Sequence, residues 1–288
     1  MNNYIVYTDS GCDISSHLLG EWGVCCSSLT FRFEDEEVEY TSEEMPVDVF
    51  YDRMRKGGVA KTSAINIGNF IDAFEPLLRQ GKDILYLGFS SALSTTCNSA
   101  VIAARQLSAQ YPGRRIVTVD SLSASAGQGL LVYLASEKRK SGATLDETVA
   151  YVEEMKHRIC HWFTVDDLEY LKRGGRINPA VAILGNALGI KPVLHVDPEG
   201  RLVNVSKIRG RKKSIAALAE KYAELAVCPE SGTIFISHSD CREDAEALAS
   251  LLAERHEVRV ALITSIGTVI GAHTGPGTIA LFFVGKER

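Results

Sequence analysis

Residues 84–107 read ILYLGFSSALSTTCNSAVIAARQL, and this stretch sets the fold class. Its first part, ILYLGF (84–89), is almost continuously apolar, as strands buried on both faces of a parallel sheet are. The segment from Ser94 to Gln110 then places Ala100, Ala103 and Leu107 on one face of a helix. A buried strand, a polar turn and an amphipathic helix predict one unit of an α/β sheet.

Similar units fill the first half of the chain. Three more strand-like runs occur, and helix-period segments such as Ser125–Arg139 separate them; the runs are YIVYTD (4–9), VCCSSLTF (24–31) and RIVTVD (115–120). Pro46 near the front of a segment through Arg55 predicts another helix, and Thr144 is a good N-cap for one more. We therefore expect residues 1–159 to form a three-layer α/β/α domain around a parallel sheet.

The second half has a different pattern. Six strand-like runs appear, interrupted by predicted helices at 212–225 and 240–254; the runs are HWFTV (161–165), IKPVLHV (190–196), RLVNVSKI (201–208), GTIFISH (232–238), EVRVALIT (257–264) and TIALFFV (278–284). The turn sequence DPEG (197–200) joins two of them and predicts an antiparallel hairpin. We expect residues 160–288 to form a two-layer α+β domain with a six-stranded mixed sheet.

Composition excludes several classes of protein. The chain has 288 residues, 45% of them hydrophobic, and a net charge of −5, which gives no basic field for nucleic acid. No apolar run approaches the roughly 18 residues of a membrane span, and the start resembles no signal peptide. The seven cysteines form no C-x-x-C pair, which disfavours a disulfide framework or a zinc ribbon. We expect a cytoplasmic protein.

Three polar residues are candidates for ligand binding. Ser94 lies in the turn after a buried strand, where α/β sheets usually bind ligands and where free N–H groups of a helix start favour an anion. Thr62 lies in a small polar loop, and His273 lies in a loop bounded by Gly271 and Gly275. On local sequence alone, Ser94 could equally be a helix cap and Thr62 an ordinary turn residue.

Basic residues cluster in two further segments. LKRGGRI (171–177) contains Arg176, and SKIRGRKK (206–213) contains Arg209. A solvated charged face explains such segments, but arginine also suits a phosphate group or an acidic partner surface.

Five segments in this order resemble those of the DegV-like family of bacterial lipid-binding proteins. The segments are YTDSGCDIS (7–15), KTS (61–63), SSALSTTCNSA (90–100), LKRGGRI (171–177) and GAHTGPG (271–277). The family includes the fatty-acid-binding subunit of bacterial fatty acid kinase, and the resemblance extends from about Tyr4 to Val284.

The resemblance implies a function and a set of site residues. A long-chain fatty acid would lie in an apolar tunnel between the domains, with its carboxyl group held by Thr62, Ser94 and His273. The protein would contain no catalytic residue, metal or cofactor, and would present the lipid to an ATP-dependent kinase that forms the acyl phosphate. Arg176 and Arg209 would contact that partner or the phosphorylated head. Peripheral contact with a membrane during lipid exchange is compatible with this role.

Two departures from the family pattern concern the site loops. The sequence TSAIN places Ile65 and Asn66 where the family often has Pro and Ser, and Thr95 replaces a Gly in the turn. A non-glycine residue disfavours positive φ there, so the departures bear on loop shape and lipid selectivity.

The same residues are also compatible with other functions. Ser94 and His273 could act as nucleophile and base of a lipid hydrolase, although a G-x-S-x-G context is missing. A lipid-binding transport or signalling protein without a kinase partner is also possible. His157 and His161, four residues apart with Cys160 beside them, could share a helix face and bind a metal, but no third ligand is evident.

Overall fold

A parallel sheet forms the centre of the first half of the chain. In the computed structural model, which describes residues 3–178, 189–256, 258 and 260–288, its strands are β1 (Tyr4–Asp9), β2 (Val24–Ser27), β6 (Asp83–Gly88) and β7 (Ile116–Asp120). Their order across the sheet is β2–β1–β6–β7, and every neighbouring pair is parallel. Because the connections leave β1 and β6 toward opposite edges, a crevice opens at the carboxyl ends of these two strands.

Helices cover both faces of this sheet. One face packs on α3 (Ile67–Arg79) and α4 (Thr96–Gln110), and the other on α1 (Ser16–Trp22), α5 (Ser125–Lys140) and α6 (Leu145–Met155). Side chains of β6 alternate accordingly: Tyr86 packs on the α3 side and Leu85 on the α5 side. The predicted three-layer arrangement is confirmed. The predicted N-cap Thr144 is also confirmed, since it forms a capping box with Glu147.

A mixed sheet of six strands forms the second half. The strands are β8 (Ile159–Thr164), β9 (Ile190–Val196), β10 (Leu202–Arg209), β11 (Ile234–His238), β12 (Val260–Ser265) and β13 (Ile279–Val284). They follow the order β10–β9–β8–β13–β11–β12, and only β11 and β12 are a parallel pair. The predicted sheet is confirmed, and so is the DPEG hairpin. Residues 257 and 259 of one predicted strand lie outside the described residues.

The two faces of this second sheet have different coverings. Helices α8 (Arg211–Leu225) and α9 (Arg242–His256) pack on one face, and α5 of the first half packs on β8, β11 and β13 from the other. Helix α5 is thus enclosed between both sheets. The division into domains of residues 1–159 and 160–288 stays a prediction. The first strand of the second sheet in chain order, β8, begins next to that predicted boundary.

A third, small sheet was not predicted from the sequence. Its strands are β3 (Thr30–Phe33), β4 (Tyr40–Thr41) and β5 (Ala60–Ser63), in the order β4–β3–β5. The predicted single strand at 24–31 was wrong, because it divides between this sheet and the first. After β2 the chain turns where the Leu29 N–H donates to Ser10 Oγ at 2.9 Å, and then Phe31 and Phe33 bury against α2 (Val47–Arg55).

We expect the substitution Gly127→Ala in α5 to be strongly destabilising. A Cβ at this position would lie 2.2 Å from His161 Nε2 and 2.8 Å from Phe282 Cδ1, so one sheet would have to move. Overpacking of this kind costs about 1–3 kcal/mol of unfolding free energy, which urea denaturation would measure.

The matched control is Gly20→Ala in α1, where an added Cβ meets no atom within 4 Å. This change should leave stability unchanged or raise it by up to ~1 kcal/mol. Equal effects of the two substitutions would contradict the tight approach of α5 to the second sheet.

Candidate functional site

A cavity of about 470 Å³ lies between the carboxyl end of the first sheet and the inner face of the second. Apolar side chains from both halves form most of its wall, among them Leu29, Phe89, Phe163, Val196, Leu202, Ile266 and Phe282. Small cofactors and ligands commonly bind in cavities of this size and composition.

Four of the five predicted site residues line this cavity. They are Thr62, Ser94, Arg176 and His273. Thr62 Oγ1 lies 2.8 Å from His273 Nε2, and Arg176 Nε donates to the carbonyl oxygen of Leu93, next to Ser94, at 3.1 Å. Residues from four separate parts of the chain therefore line one largely apolar cavity, and Thr62, Arg176 and His273 lie near one another in its wall.

The local structure at Thr62 differs from the prediction. Thr62 lies on β5 and not in a loop, since it pairs with Phe31 of β3. The following departures from the family pattern have structural roles. Ile65 is buried among the residues of α3 and α4, and Asn66 caps α3 by accepting the Asn69 N–H at 3.0 Å. The polar sequence AKTS hid the strand, because no apolar alternation marks it.

Ser94 lies in the polar turn before α4, as predicted. Its Oγ accepts the Thr96 N–H at 3.2 Å and lies 3.0 Å from Thr96 Oγ1. Thr96 Oγ1 in turn accepts the Ile65 N–H at 3.3 Å, which links this turn to the segment after Thr62. Thr95 has φ −76°, so the Gly that it replaces is not needed for positive φ here.

His273 lies on a short helix, α10 (Thr268–Thr274), and not in a loop as predicted. Its Nδ1 is buried and has no hydrogen-bond partner among the described residues. The ring packs on the backbone of Gly174, where an added Cβ would lie 2.2 Å from Nδ1. Burial, with a further contribution from the positive charge of Arg176, lowers the pKa of His273 to about 4. The imidazole is therefore neutral at pH 7.

Arg176 and Arg209 occupy different environments. Arg176 is partly buried after α7 (Glu169–Arg173), its guanidinium also donates to the Gly174 carbonyl, and burial lowers its pKa. It forms part of the cavity wall, which the sequence analysis did not foresee. Arg209 is exposed at the end of β10 and lies outside the cavity lining.

A buried carboxylate that the sequence analysis missed supports the turn before Ser94. Asp9, at the end of β1, accepts the Phe89 N–H at 2.9 Å and the Tyr86 hydroxyl at 2.6 Å through Oδ2. Its Oδ1 accepts the Gly11 N–H at 3.0 Å. An acidic residue directly after a buried strand was the available signal, since a buried carboxylate requires such donors.

The two histidines considered above as metal ligands do not share a helix face. His157 follows α6, whereas His161 lies on β8 and its Nδ1 is 3.0 Å from the Ile159 carbonyl oxygen. Within the described ranges there is no group of three or more metal-ligating side chains. The same residues include no helix that is both long and apolar enough to cross a membrane.

We expect an NMR titration to find the His273 imidazole neutral down to a pH near its pKa of about 4, below the ordinary 6.5. Between these values the unfolded chain binds more protons than the folded protein, so His273 makes stability increase with pH. The variant Arg176→Gln should raise this pKa, because the neighbouring positive charge is removed. A midpoint near 6.5 in the wild type would contradict the buried environment of the ring.

Known proteins resemble this chain over its full length. Residues 4–286 match the model of the DegV family, which is described as uncharacterised. A DegV domain-containing protein of Clostridium perfringens is 44% identical over 289 residues, covering 100% of this chain and 99% of the relative. A DegV family structure from Thermus thermophilus, described by its fatty acid binding, has a TM-score of 0.89 at 31% identity and covers 98% of this chain and 99% of its own. A stearic-acid-binding protein from Eubacterium ventriosum has a TM-score of 0.88 at 25% identity and 98% coverage of both chains. The chain belongs to the DegV family.

Proposed function

We propose that this protein binds one long-chain fatty acid, with the carboxylate at Thr62, Ser94 and His273. The observation that carries the proposal is a largely apolar cavity of about 470 Å³ whose wall includes Thr62, Ser94 and His273. The fatty acids named for structurally similar proteins agree with this chemistry. An amphiphile with one small anionic head and a long apolar tail matches such a cavity.

Tail and head would contribute differently to binding. Burial of one methylene group is worth about 0.8 kcal/mol, so a tail of about fourteen methylenes would supply ~11 kcal/mol before the costs of ordering. The hydroxyls of Thr62 and Ser94 can donate to the carboxylate oxygens, and so can a neutral imidazole in the appropriate tautomer. The tail therefore supplies affinity, and these donors fix which way the lipid lies.

Arg176 adds a charge that the resemblance did not assign to the carboxyl site. A guanidinium in the wall of the cavity favours the ionised form of the fatty acid over the neutral form. The neutral state of His273 matters equally, because it leaves a single positive charge to balance the single negative charge of the ligand.

The geometry argues against a Ser/His lipid hydrolase. His273 Nε2 lies next to Thr62, and the partners of Ser94 Oγ are the hydroxyl and N–H of Thr96. An imidazole with a pKa of about 4 is a weak base, and no described carboxylate orients its Nδ1. Fatty-acid binding without catalysis accounts for the same residues.

The lipid would serve a partner kinase in the cytoplasm. We propose that an ATP-dependent kinase phosphorylates the bound carboxylate, with Arg209 on the exposed face contacting the kinase and Arg176 nearer the head. A transport or signalling role without a kinase remains the second candidate, and peripheral membrane contact during lipid exchange fits either role.

Native mass spectrometry of the purified protein should show one non-covalently bound fatty acid. The double variant Ser94→Ala/His273→Ala removes two of the three proposed hydrogen-bond donors to the carboxylate. It should weaken fatty-acid affinity by roughly 100-fold, because each hydrogen bond that the buried carboxylate loses costs about 1–3 kcal/mol. The control His17→Ala/Ser108→Ala changes the same residue types at exposed positions and should bind normally. A covalent serine adduct would instead favour the hydrolase, and wild-type affinity in the double variant would refute the site.

A reconstituted kinase assay separates the two arginines. Arg209→Ala should leave lipid retention unchanged and slow acyl-phosphate formation by about tenfold, because only a surface contact is lost. Arg176→Ala should impair both lipid retention and acyl-phosphate formation, since the Arg176 side chain lines the cavity. Arg105→Ala, on the exposed face of α4, is the matched control. Full turnover with Arg209→Ala would exclude its role in docking.

A further inference from the structure

Asp13 is a buried carboxyl group that joins the two halves of the molecule. It follows the 3-10 turn Ser10–Cys12 after β1, is 8% exposed, and has a left-handed backbone with φ 52°. One oxygen, Oδ1, accepts the Gly267 N–H at 2.9 Å. The other, Oδ2, lies 2.5 Å from Ser125 Oγ at the start of α5.

Further contacts around Asp13 reach the second sheet. The Asp13 carbonyl oxygen accepts the Thr264 hydroxyl of β12 at 3.1 Å, and Ser125 Oγ lies 3.0 Å from Ser237 Oγ of β11. Beside them, the Tyr51 hydroxyl donates to the Ile266 carbonyl oxygen at 2.9 Å. The segment 264–267 is therefore fixed from the first half of the chain by Asp13 and Tyr51.

Helix α10 starts directly after this fixed segment. Gly267 is its N-cap, and Val269, Ile270 and His273 of the helix line the cavity. At the far end, His273 contacts Thr62. A continuous path of contacts thus leads from Asp13 through Gly267 and one short helix to the imidazole in the cavity wall.

We propose that Asp13 is a positioning residue for fatty-acid binding, which in its neutral form holds α10 and His273 in place and on ionisation loosens them. The proposal rests on the proposed function only for its effect on the lipid. Its effect on α10 is a property of the protein without ligand.

The hydrogen-bond partners of Asp13 can serve both of its protonation states. In the ionised form Ser125 Oγ donates to Oδ2 and the Gly267 N–H donates to Oδ1. In the neutral form Oδ2 can instead donate to Ser125 Oγ, which then donates to Ser237 Oγ, while Oδ1 still accepts from Gly267. Among the described residues, no cation contributes to the electrostatic environment of Asp13, which burial and the two hydrogen bonds determine. The facing groups are the hydroxyls of α5, β11 and β12, and Tyr51 of α2, whose pKa burial keeps well above 10.

The pH dependence follows from this burial. Burial raises the pKa of Asp13 to about 7, although the hydrogen bonds from Ser125 and Gly267 oppose the shift. When α10 detaches and Asp13 meets water, the pKa falls toward the ordinary 3.8. The closed arrangement therefore binds the proton more tightly, so opening becomes easier as pH rises and levels off above about pH 7.

Hydrogen exchange of ligand-free protein tests the positioning directly. In Asp13→Asn the amide can donate to Ser125 and accept from Gly267 like the protonated acid, and Asn tolerates a left-handed backbone. At pH 7.5 we expect amides 267–274 to exchange about tenfold more slowly in Asp13→Asn than in the wild type, and at pH 5.5 the difference should shrink. Equal exchange at both pH values would overturn the proposal.

Two further variants separate positioning from general loosening. Tyr51→Phe removes the hydrogen bond to the Ile266 carbonyl oxygen, so amides 267–274 should exchange faster. The pH dependence of the opening equilibrium, which is what remains after correction for intrinsic exchange rates, should stay as in the wild type because Asp13 is intact. Gly267→Ala places a Cβ 2.8 Å from Asp13 Oδ1, so the carboxyl group must move and α10 should exchange faster. Unchanged protection in Gly267→Ala would also refute the role of Asp13, even if Asp13→Asn failed to fold.

Release of a fluorescent fatty acid gives the functional readout. Wild-type release should accelerate between pH 5.5 and 7 and then level off, whereas Asp13→Asn should release slowly at every pH. The pKa of His273 is far below this range, so the imidazole does not contribute. If the wild type binds no fatty acid, the proposed function fails while hydrogen exchange still tests Asp13; if both proteins bind and release alike, the link to the lipid fails.

Discussion

The packing of α5 between the two sheets is the constraint on which the cavity depends. Its residues are buried nearly all the way round, including Gly127, Leu130, Leu131 and Val132. The second sheet can approach this helix so closely only where the side chain is small, as at Gly127, and Gly129 gives the same room to Cys12 and Ile14. Because the first turn of α5 opens onto the cavity, the spacing of the sheets there is fixed by the body of the helix.

The sequence predicted the large elements well because their periodicities are strong. The apolar run at 84–89 and the helix after it appear as β6 and α4, and both sheets have the predicted character. Short polar elements were missed for the opposite reason. Strand β5 is only four residues of AKTS, and α10 is one helical segment bounded by glycines. Neither contains enough apolar positions to show a period.

The candidate site was only partly accessible from sequence. The resemblance selected Thr62, Ser94 and His273, and all three line one cavity. Arg176 was selected for contact with a partner or with the phosphorylated head, and nothing local in LKRGGRI shows that the turn folds its side chain back onto the Leu93 carbonyl. Asp9 and Asp13 act through contacts with residues as far away as 254 positions. Such contacts depend on the complete topology and leave no local pattern.

The strand that comes last in chain order, β13, lies in the middle of the second sheet, between β8 and β11. During synthesis on the ribosome, the strand groups β8–β9–β10 and β11–β12 would therefore emerge before β13, and one edge each of β8 and β11 would be unpaired until β13 follows. Exposed edges of this kind invite pairing with other chains. Insertion of β13 pairs both of these edges and completes the cavity wall through Ala280 and Phe282, so a nascent chain acquires its cavity and its protection from aggregation in a single late step.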